Sequence, residues 1–169
     1  MSVTVLRMEQ AQFDAIRQHS EATYPHESCG VLLGHAQESG NTVIDAVRAA
    51  NTRTDSAHNR YQIAPQELIR IQREARQQGL DIVGFYHSHP DHPARWSKTD
   101  LAEAHWFGCS YVITSVMGGG SGVNGNPSTA RCRATETNSF LLAGTGEEDK
   151  RLEAQPIEVA TSVAASAGA

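Results

Sequence analysis

The pattern of apolar and polar residues predicts alternating strands and helices along the first half of the chain. Alternation over residues 3–8 is typical of a strand, and the apolar spacing across 9–24 is typical of a helix, which Pro25 ends. Two short apolar runs follow at residues 30–35 and 42–51, with Gln-Glu-Ser-Gly-Asn between them. This arrangement predicts a β-hairpin.

The middle of the chain predicts a helix followed by a buried central strand. Residues 60–63 (RYQI) contain strand-forming types and predict a further strand before that helix. Pro65 suits the first turn of a helix whose apolar residues share one face, and Gly79 is a natural stop for it. Residues 81–87 (DIVGFYH) are almost continuously apolar, which is typical of a strand that is covered on both faces.

The second half of the pattern completes a mixed sheet. Residues 97–108 predict a short helix, and 110–116 (SYVITSV) predict another buried strand. The glycine-rich stretch 117–127 predicts a loop, after which 128–137 alternates well enough to pair back as a hairpin and 138–142 adds an apolar contact. Strands and helices in this order indicate an α+β or α/β sandwich, in which helices flank a mixed β-sheet.

The C-terminal segment differs in composition from the rest. From residue 143 the chain turns to glycine, charged residues and then small residues, which bury little apolar area against the entropy of ordering them. We therefore expect one domain over residues 1–142 and a disordered tail over 143–169. A chain of 169 residues is long enough for one core of ordinary size.

Charge, hydropathy and cysteine content argue against several classes of function. The formal net charge is -5 and Lys and Arg form no run, so we expect no nucleic-acid partner. No apolar stretch approaches the roughly 20 residues that span a bilayer, and residues 1–10 lack a signal-peptide pattern, so we expect a cytoplasmic protein without a membrane partner. The odd number of cysteines, without C-x-x-C spacing, favours core or half-buried thiols over disulfides or a thiolate zinc site.

The segment GFYHSHPDHPARWSKTD, residues 84–100, has the residue types of a metal site. His87 and His89 are two apart at the end of a predicted strand, so both imidazoles project to one face, roughly 6.6 Å apart at the backbone, while Ser88 points away. Asp100 lies at the start of the next predicted helix and can supply a third, carboxylate ligand. Two histidines, a carboxylate and an open fourth position would form the tetrahedral zinc site of a hydrolase.

Each half of this pattern also has a purely structural explanation. Ser97 and Asp100 form an S-x-x-D start that caps helices without any chemistry, and a histidine pair in a loop is often solvent-exposed. The combination of both features after a buried strand favours the metal site. Glu27, between Pro25 and an apolar strand, is then the candidate proton acceptor, since a carboxylate directly before a core strand is unusual without a partner.

Five of these residues form one long spaced motif: Glu27 ahead of a G-V-L-L-G run, His87-x-His89, seven residues, Ser97, two residues and Asp100. This motif resembles the signature of the JAMM (MPN+) zinc metalloproteases, and the resemblance covers the whole predicted domain. It implies a curved mixed sheet between helices, of the cytidine-deaminase-like type, with zinc held by His87, His89 and Asp100. It also implies that Glu27 is the general acid/base and that Ser97 helps to stabilise the oxyanion.

The short HSHPDHPAR form, without large insertions, resembles the small bacterial branch of that family. This resemblance implies hydrolysis of the amide bond after the C-terminal Gly-Gly of a ubiquitin-like sulfur-carrier protein, with release of a cysteine adduct or a short extension. Two alternatives stay open. One is an isopeptidase that deconjugates ubiquitin-like modifiers, and the other is a non-catalytic MPN scaffold, in which loss of Glu27 or of a ligand would be expected.

Two further residues are candidate substrate contacts. Trp96 stands directly before Ser97, where bacterial relatives often have proline, and it is a candidate wall for the primed side of the site. An aromatic residue stacked on the rim of the core is the alternative. His92 lies within the motif, and we expect it to shape substrate contacts or to be solvated rather than to bind the metal.

Overall fold

The computed structural model describes residues 3–53, 60–119 and 131–161 of the chain. Its strands and helices follow in the order β1 (Val5–Glu9), α1 (Gln10–Thr23), β2 (Cys29–Gln37), β3 (Gly40–Ala49), α2 (Pro65–Gln77), β4 (Asp81–Pro90), α3 (Lys98–Glu103), β5 (Ser110–Gly119), β6 (Arg131–Ala143), β7 (Arg151–Gln155) and β8 (Ile157–Ala160). None of the described helices is long and apolar enough to cross a membrane.

The strands form one mixed sheet in the order β7-β6-β5-β4-β2-β3-β1-β8. β1 runs parallel to β3 and to β8, and β4 runs parallel to β5, whereas the other neighbours are antiparallel. β7 and β8 lie at opposite ends of this order, yet only Pro156 separates them in the chain. The sheet must therefore curl until both of its edges meet the same extended segment. This curved mixed sheet with flanking helices confirms the predicted fold class.

The sheet buries apolar side chains in two clusters. One cluster includes Ile71 and Ala75 of α2 together with Phe85 of β4, and the other includes Ile16 of α1 and Val83 of β4. β4 therefore contributes to both clusters, as predicted for a central strand that is covered on both faces. Burial stabilises such a strand by roughly 25 cal/mol per Å² of apolar area removed from water, so this packing stabilises the part of β4 that leads to His87.

The local predictions that depend on caps and turns are confirmed. α2 has Pro65 in its first turn. α1 begins with a capping box between Glu9 and Gln12, a cap that was not among the predictions. Gly79 follows the end of α2 with a φ of 74°, a left-handed conformation that glycine adopts without steric cost. β2 and β3 form the predicted hairpin, and β6 pairs back on β5 as expected.

The predicted strand at residues 60–63 is wrong. These residues form no strand, and the segment is tied to the chain ahead of it by single contacts, such as the Thr52 N–H that donates to the Gln62 carbonyl at 2.9 Å. Strand-forming residue types do not produce a strand without a neighbouring ladder to join, because much of their preference reflects packing in a sheet.

The third helix and the glycine-rich loop differ from their predicted bounds. α3 ends at Glu103, well before residue 108, because the backbone becomes extended at Ala104 and the Ala104 side chain enters the core. Residues 117–119 continue β5 rather than starting a loop. The rest of the predicted loop, up to residue 127, lies outside the described residues.

The disordered tail expected from residue 143 onward is wrong for the part of it that the structure describes. β7 pairs antiparallel with β6, β8 pairs parallel with β1, and Leu152 is only 7% exposed. The apolar area of this segment is small, as its composition indicates. An edge strand also gains backbone hydrogen bonds, however, and these do not depend on side-chain type. Residues 162–169 lie outside the described residues.

Candidate metal centre

The end of β4 brings His87 and His89 side by side. Both side chains project from the same face because successive residues of a strand point to opposite faces. β4 is held here by β2 on one side, where Cys29 pairs with His87, and by β5 on the other, where Ser115 pairs with His89. The two Nε2 atoms lie 3.1 Å apart, so the two imidazoles converge.

Asp100 reaches the same point from the first turn of α3. Ser97 caps this helix: its Oγ accepts a hydrogen bond from the Asp100 N–H at 3.0 Å, and the Ser97 N–H donates to Asp100 Oδ2 at 2.8 Å. The carboxylate also contacts both imidazoles, with Oδ1 3.1 Å from His87 Nε2 and Oδ2 3.2 Å from His89 Nε2. The capping and ligand explanations of this pattern are therefore compatible, because the cap fixes the carboxylate that faces the histidines.

Burial and hydrogen bonding shift the pKa values of His87, His89 and Asp100 in opposite directions. Burial lowers the pKa of His87, and the contact with Asp100 offsets this only in part. Burial also acts to lower the pKa of His89, but hydrogen bonds to Asp100 and to the Pro93 carbonyl outweigh it and raise the pKa. Burial alone would raise the pKa of Asp100, yet hydrogen bonds from the two histidines hold that pKa well below its usual range. The carboxylate is therefore ionised, as a metal ligand has to be.

Glu27 lies beside the histidine pair, two residues before β2 begins. Its side chain is 2% exposed, and its Oε2 has no hydrogen-bond partner among the described residues. One ligand atom from each of Glu27, His87 and His89 lies within 4.8 Å of the other two. Burial raises the pKa of Glu27 to about 8; the Asp100 and Glu103 carboxylates add to this shift, and His89 opposes it. Glu27 is thus a carboxylate that retains a proton far more readily than an exposed one.

Either Asp100 or Glu27 could complete a set of three ligands with the two histidines. Asp100 directs one oxygen at each Nε2 atom, at 3.1 and 3.2 Å, and the Ser97 cap holds it there. Glu27 Oε2 is instead left without a partner in the described part of the chain. Asp100 is therefore in contact with both histidines, and Glu27 is a carboxylate beside them without a partner among the described residues.

The donor set fits zinc, because imidazole nitrogen and carboxylate oxygen bind Zn²⁺ at about 2.0–2.2 Å. His89 Nδ1 lies 2.9 Å from the Pro93 carbonyl, and a hydrogen bond from Nδ1–H there leaves the Nε2 lone pair for a metal. His87 stacks on Tyr61, with ring centroids 4.6 Å apart. Glu27 Oε2 is buried without a partner among the described residues, and an unsatisfied buried atom beside these donor groups points to a binding role. His87 Nδ1 is also unpaired there, but the ring atom that faces Asp100 is Nε2.

A cavity of about 310 Å³ opens onto these side chains. Its lining includes Glu27, His89, Ser97 and Asp100, together with Trp96 and His92. Trp96 is 39% exposed, so its ring stands at the wall of the cavity with one part in solvent. The structure thus brings both substrate-contact candidates to the cavity, and their roles in binding stay predictions.

Several contacts with the site come from distant segments that the sequence does not single out. Tyr61, which stacks on one histidine, falls within the segment predicted as a strand. Asn51 donates from Nδ2 to the Glu27 carbonyl at 3.3 Å, and the hydroxyls of Ser28 and Ser88 lie 3.0 Å apart. Spacing cannot predict these contacts, because each joins residues at least 24 positions apart. The only sequence signal is that Ser28 and Ser88 directly adjoin motif residues.

The curved sheet, the converging histidines and the adjacent carboxylates define a protein of the JAB-domain class. A family model described as prokaryotic homologs of the JAB domain matches residues 9–133 of the chain. The chain belongs to this family. The match confirms the resemblance found in the spaced motif, all of which lies within the matched residues.

Individual relatives are similar to part of this chain. Desampylase from Haloferax volcanii is 37% identical over 94 residues, which are 56% of this chain and 66% of that protein. A probable TtuB-protein conjugate cleaving protease from Thermus thermophilus is 27% identical over 114 residues, which are 68% of this chain and 72% of that protein. The matched region is therefore just under two thirds of the first relative and somewhat more of the second.

Two solved structures have a similar fold. A solution structure of a protein from Desulfitobacterium hafniense aligns with a TM-score of 0.69 and 24% identity, over 93% of this chain and 94% of that one. A solution structure of a protein from Salinibacter ruber aligns with a TM-score of 0.59 and 34% identity, over 90% of this chain and 91% of that one. The first likeness concerns the fold alone.

Proposed function

We propose that this protein is a zinc-dependent hydrolase that cleaves the amide bond after the C-terminal Gly-Gly of a ubiquitin-like sulfur-carrier protein. The observation that carries the proposal is the convergence of His87, His89 and Asp100, whose donor atoms lie 3.1 to 3.2 Å apart, beside the buried carboxylate of Glu27. The names of two relatives, desampylase and a probable TtuB-protein conjugate cleaving protease, support hydrolysis of a protein conjugate.

His87, His89 and Asp100 would hold the zinc ion. An ion there would supply a Lewis acid that activates water and polarises a carbonyl group. The contribution of the chain is to hold the ligands in place before the ion arrives. β4 fixes the two histidines, the Pro93 carbonyl orients the His89 ring, and the Ser97 cap fixes the carboxylate.

In the metal-free protein, burial favours the protonated form of Glu27 by raising its pKa, and the positive charge of a bound zinc ion would oppose that shift. The ionised carboxylate would then take a proton from the attacking water at Oε2 and deliver it to the leaving nitrogen. Oε2 is available for this because it has no partner among the described residues. Proton transfer by a positioned side chain typically contributes about 10² to 10⁴ in rate. Ser97 Oγ accepts a hydrogen bond from the Asp100 N–H, so its own hydroxyl hydrogen can donate to the oxyanion that develops on the substrate.

The outer edge of β3 offers a place for an extended substrate tail. Among the described strands, β1 pairs with β3 only from Gly40 to Thr42, so the remainder of that edge has no partner strand. β3 ends at Ala49, whose cross-strand partner Cys29 lies two residues after Glu27. A Gly-Gly tail added to this edge would run toward the site, and glycine would let its backbone approach closely.

A second candidate function is an isopeptidase that releases ubiquitin-like modifiers from conjugates. The name of the Thermus thermophilus relative refers to protein conjugates, which favours this candidate. It would use the same residues and differ only in the leaving group. A non-catalytic scaffold has less support, because Glu27 and all three ligand candidates are present and lie together.

Product analysis with the zinc-loaded protein tests the proposal. A carrier that ends in Gly-Gly with a cysteine or short peptide attached should be cut after the second glycine, as mass spectrometry would show. A bulky residue at the penultimate position should abolish cleavage, since a misplacement of about 1 Å can cost roughly 10²-fold. Cleavage of isopeptide-linked conjugates without cleavage of the linear extension would establish the second candidate instead. Cleavage of neither substrate would establish the scaffold.

A further inference from the structure

We propose that Ser88 is a positioning residue for Glu27: its hydroxyl ties the backbone next to the glutamate to the strand that carries the two histidines. The inference rests on the proposed function, in which Glu27 transfers the proton. Ser88 lies between the two candidate ligands in sequence, and its side chain points to the other face of β4. It therefore cannot act on the metal directly.

Ser88 makes its contacts with the residue that follows Glu27. Ser88 Oγ accepts a hydrogen bond from the Ser28 N–H at 2.8 Å, and the two hydroxyl oxygens lie 3.0 Å apart. The Ser88 N–H donates to the Ser28 carbonyl at 3.1 Å. Both residues are almost completely buried. Three contacts thus join this one pair of residues, and no water is needed to complete them.

The contact continues from this pair to α1. The Ser28 hydroxyl lies 3.3 Å from Ser20 Oγ, and the Ser20 hydroxyl donates to the Ile16 carbonyl at 2.8 Å. The Ser28 hydroxyl has one hydrogen, which it can donate either to Ser88 Oγ or to Ser20 Oγ, and the Ser20 hydroxyl hydrogen goes to that carbonyl. This chain of buried hydroxyls anchors the segment before β2 against both β4 and α1.

Glu27 depends on such an anchor because its own carboxylate supplies none. Its Oε2 has no partner among the described residues, and β2 does not begin until Cys29. The ladder between β2 and β4 ends at the Cys29–His87 pair, and the Ser28–Ser88 contacts extend the link by one residue. The glutamate is thereby held in register with the histidines on either side of Ser88.

Loss of the Ser88 hydroxyl should therefore displace Glu27 more than it disturbs the ligands. In Ser88→Ala the buried Ser28 N–H loses its acceptor, which forces the segment to move or to leave a donor unsatisfied. The histidines keep their other supports, namely Tyr61, the Pro93 carbonyl and the Asp100 carboxylate. Zinc binding should persist while proton transfer fails.

Ser110→Ala is the matched control. Ser110 is a fully buried strand serine that accepts from Asn41 Nδ2 at 2.9 Å and donates to Gln155 Oε1 at 2.7 Å. It lies at the start of β5, whereas the site lies at the end of β4, which runs parallel to β5. A general loss of stability from a missing buried hydroxyl should appear in both variants, but a loss of positioning should appear only in Ser88→Ala.

Three measurements are made on each full-length variant: zinc content, kcat and KM on a Gly-Gly carrier, and hydrogen exchange at the Ser28 amide in the metal-free protein. Ser88→Ala should retain zinc, lose about 10² in kcat with little change in KM, and exchange the Ser28 amide about fivefold faster or more. Ser88→Thr, which keeps the hydroxyl, should recover most of the kcat. If Ser88→Ala does not fold, Ser88→Cys, which preserves volume but accepts weakly, is expected to show the same losses.

Unchanged kcat and unchanged Ser28 exchange in Ser88→Ala would overturn the inference, as would an equal loss of kcat in Ser110→Ala. Loss of zinc in Ser88→Ala would also overturn it, because Ser88 would then support the ligands. Failure of the proposed function is distinguishable: zinc-loaded wild-type protein would cleave no carrier or conjugate, while exchange at the Ser28 amide would still report whether Ser88 holds this segment.

Discussion

Glu27→Gln should make the metal-free protein more stable at neutral pH while the zinc-loaded protein loses most of its turnover. Glutamine keeps the shape of the side chain and one carbonyl oxygen, but it cannot carry a proton from water to the leaving group. Because general acid–base groups typically contribute about 10² to 10⁴ in rate, kcat should fall by about that factor with zinc still bound. The substitution thus separates the proton-transfer role from a ligand role.

The gain in stability follows from the pKa of Glu27, which burial raises from an ordinary value of 4.5 to about 8. Between these two values the unfolded chain releases its proton and the folded protein retains it. The contribution of Glu27 to the stability of the wild-type protein is therefore fully present below the unfolded pKa and is lost as the pH rises toward the folded one. At ~1.4 kcal/mol per pH unit, the loss is on the order of 3 kcal/mol by pH 7. Glutamine does not titrate, so the variant avoids this loss.

Urea unfolding of the chelator-treated proteins, followed by circular dichroism near pH 5 and near pH 7, measures the effect. The difference in unfolding free energy between Glu27→Gln and wild type should be small at the lower pH and about 3 kcal/mol at the higher one. Equal differences at both pH values would refute the account of a buried carboxylate without a partner. Loss of zinc from the variant would instead make Glu27 a ligand.

Other positions give independent tests. His89→Ala should lose zinc in elemental analysis, whereas His92→Ala, which alters the same cavity, should keep it; zinc retained in both variants would contradict the ligand set. Burial lowers the pKa of His19 to about 4, so the contribution of His19 to wild-type stability should be fully present above pH 6.5 and be lost toward pH 4, by on the order of 1 kcal/mol after allowance for partial exposure. In urea unfolding at several pH values, His19→Gln should lack this pH dependence of the unfolding free energy. An equal pH dependence in the variant and in wild type would contradict the prediction. Leu152→Ala should cost about 2–5 kcal/mol in urea unfolding, because Leu152 is buried; the exposed Ile69→Ala is its control, and equal effects would argue against an ordered β7.

The ligand candidates could be predicted because their geometry is local. Strand alternation places His87 and His89 on one face, and a helix cap places Asp100 next to Ser97. The spacing of residues that are close in sequence therefore predicts most of the arrangement of the ligand candidates. Glu27 is different, since it lies 60 positions before His87. Its position before an apolar strand made it the candidate proton acceptor, and the resemblance to a spaced motif implies the same role.

The parts that sequence did not predict depend on which strands become neighbours. β7 and β8 are ordered because two distant edges, β6 and β1, offer them backbone partners, and nothing in their composition indicates those partners. Tyr61 stacks on His87 without lying in a strand at all. In both cases the contact is made with a distant strand. The order of the strands in the sheet decides where that strand lies, and apolar periodicity does not predict this order.

The site lies where the sheet can best tolerate unsatisfied groups. Glu27 and His87 each bury an atom without a partner among the described residues, and such atoms destabilise the metal-free fold locally. His87 lies in β4, and Glu27 lies two residues before β2. These are the two middle strands of the sheet, farthest in strand order from the edge strands β7 and β8. These two strands are stabilised by packing in both core clusters. The sheet is further stabilised at its edges, where β7 pairs with β6 and β8 pairs with β1. Glu27 Oε2 becomes satisfied when water or substrate occupies the site, whereas His87 would bind zinc through Nε2 and not through its unpaired Nδ1. Ligand binding and fold stability should therefore be coupled through Glu27 rather than through the sheet edges.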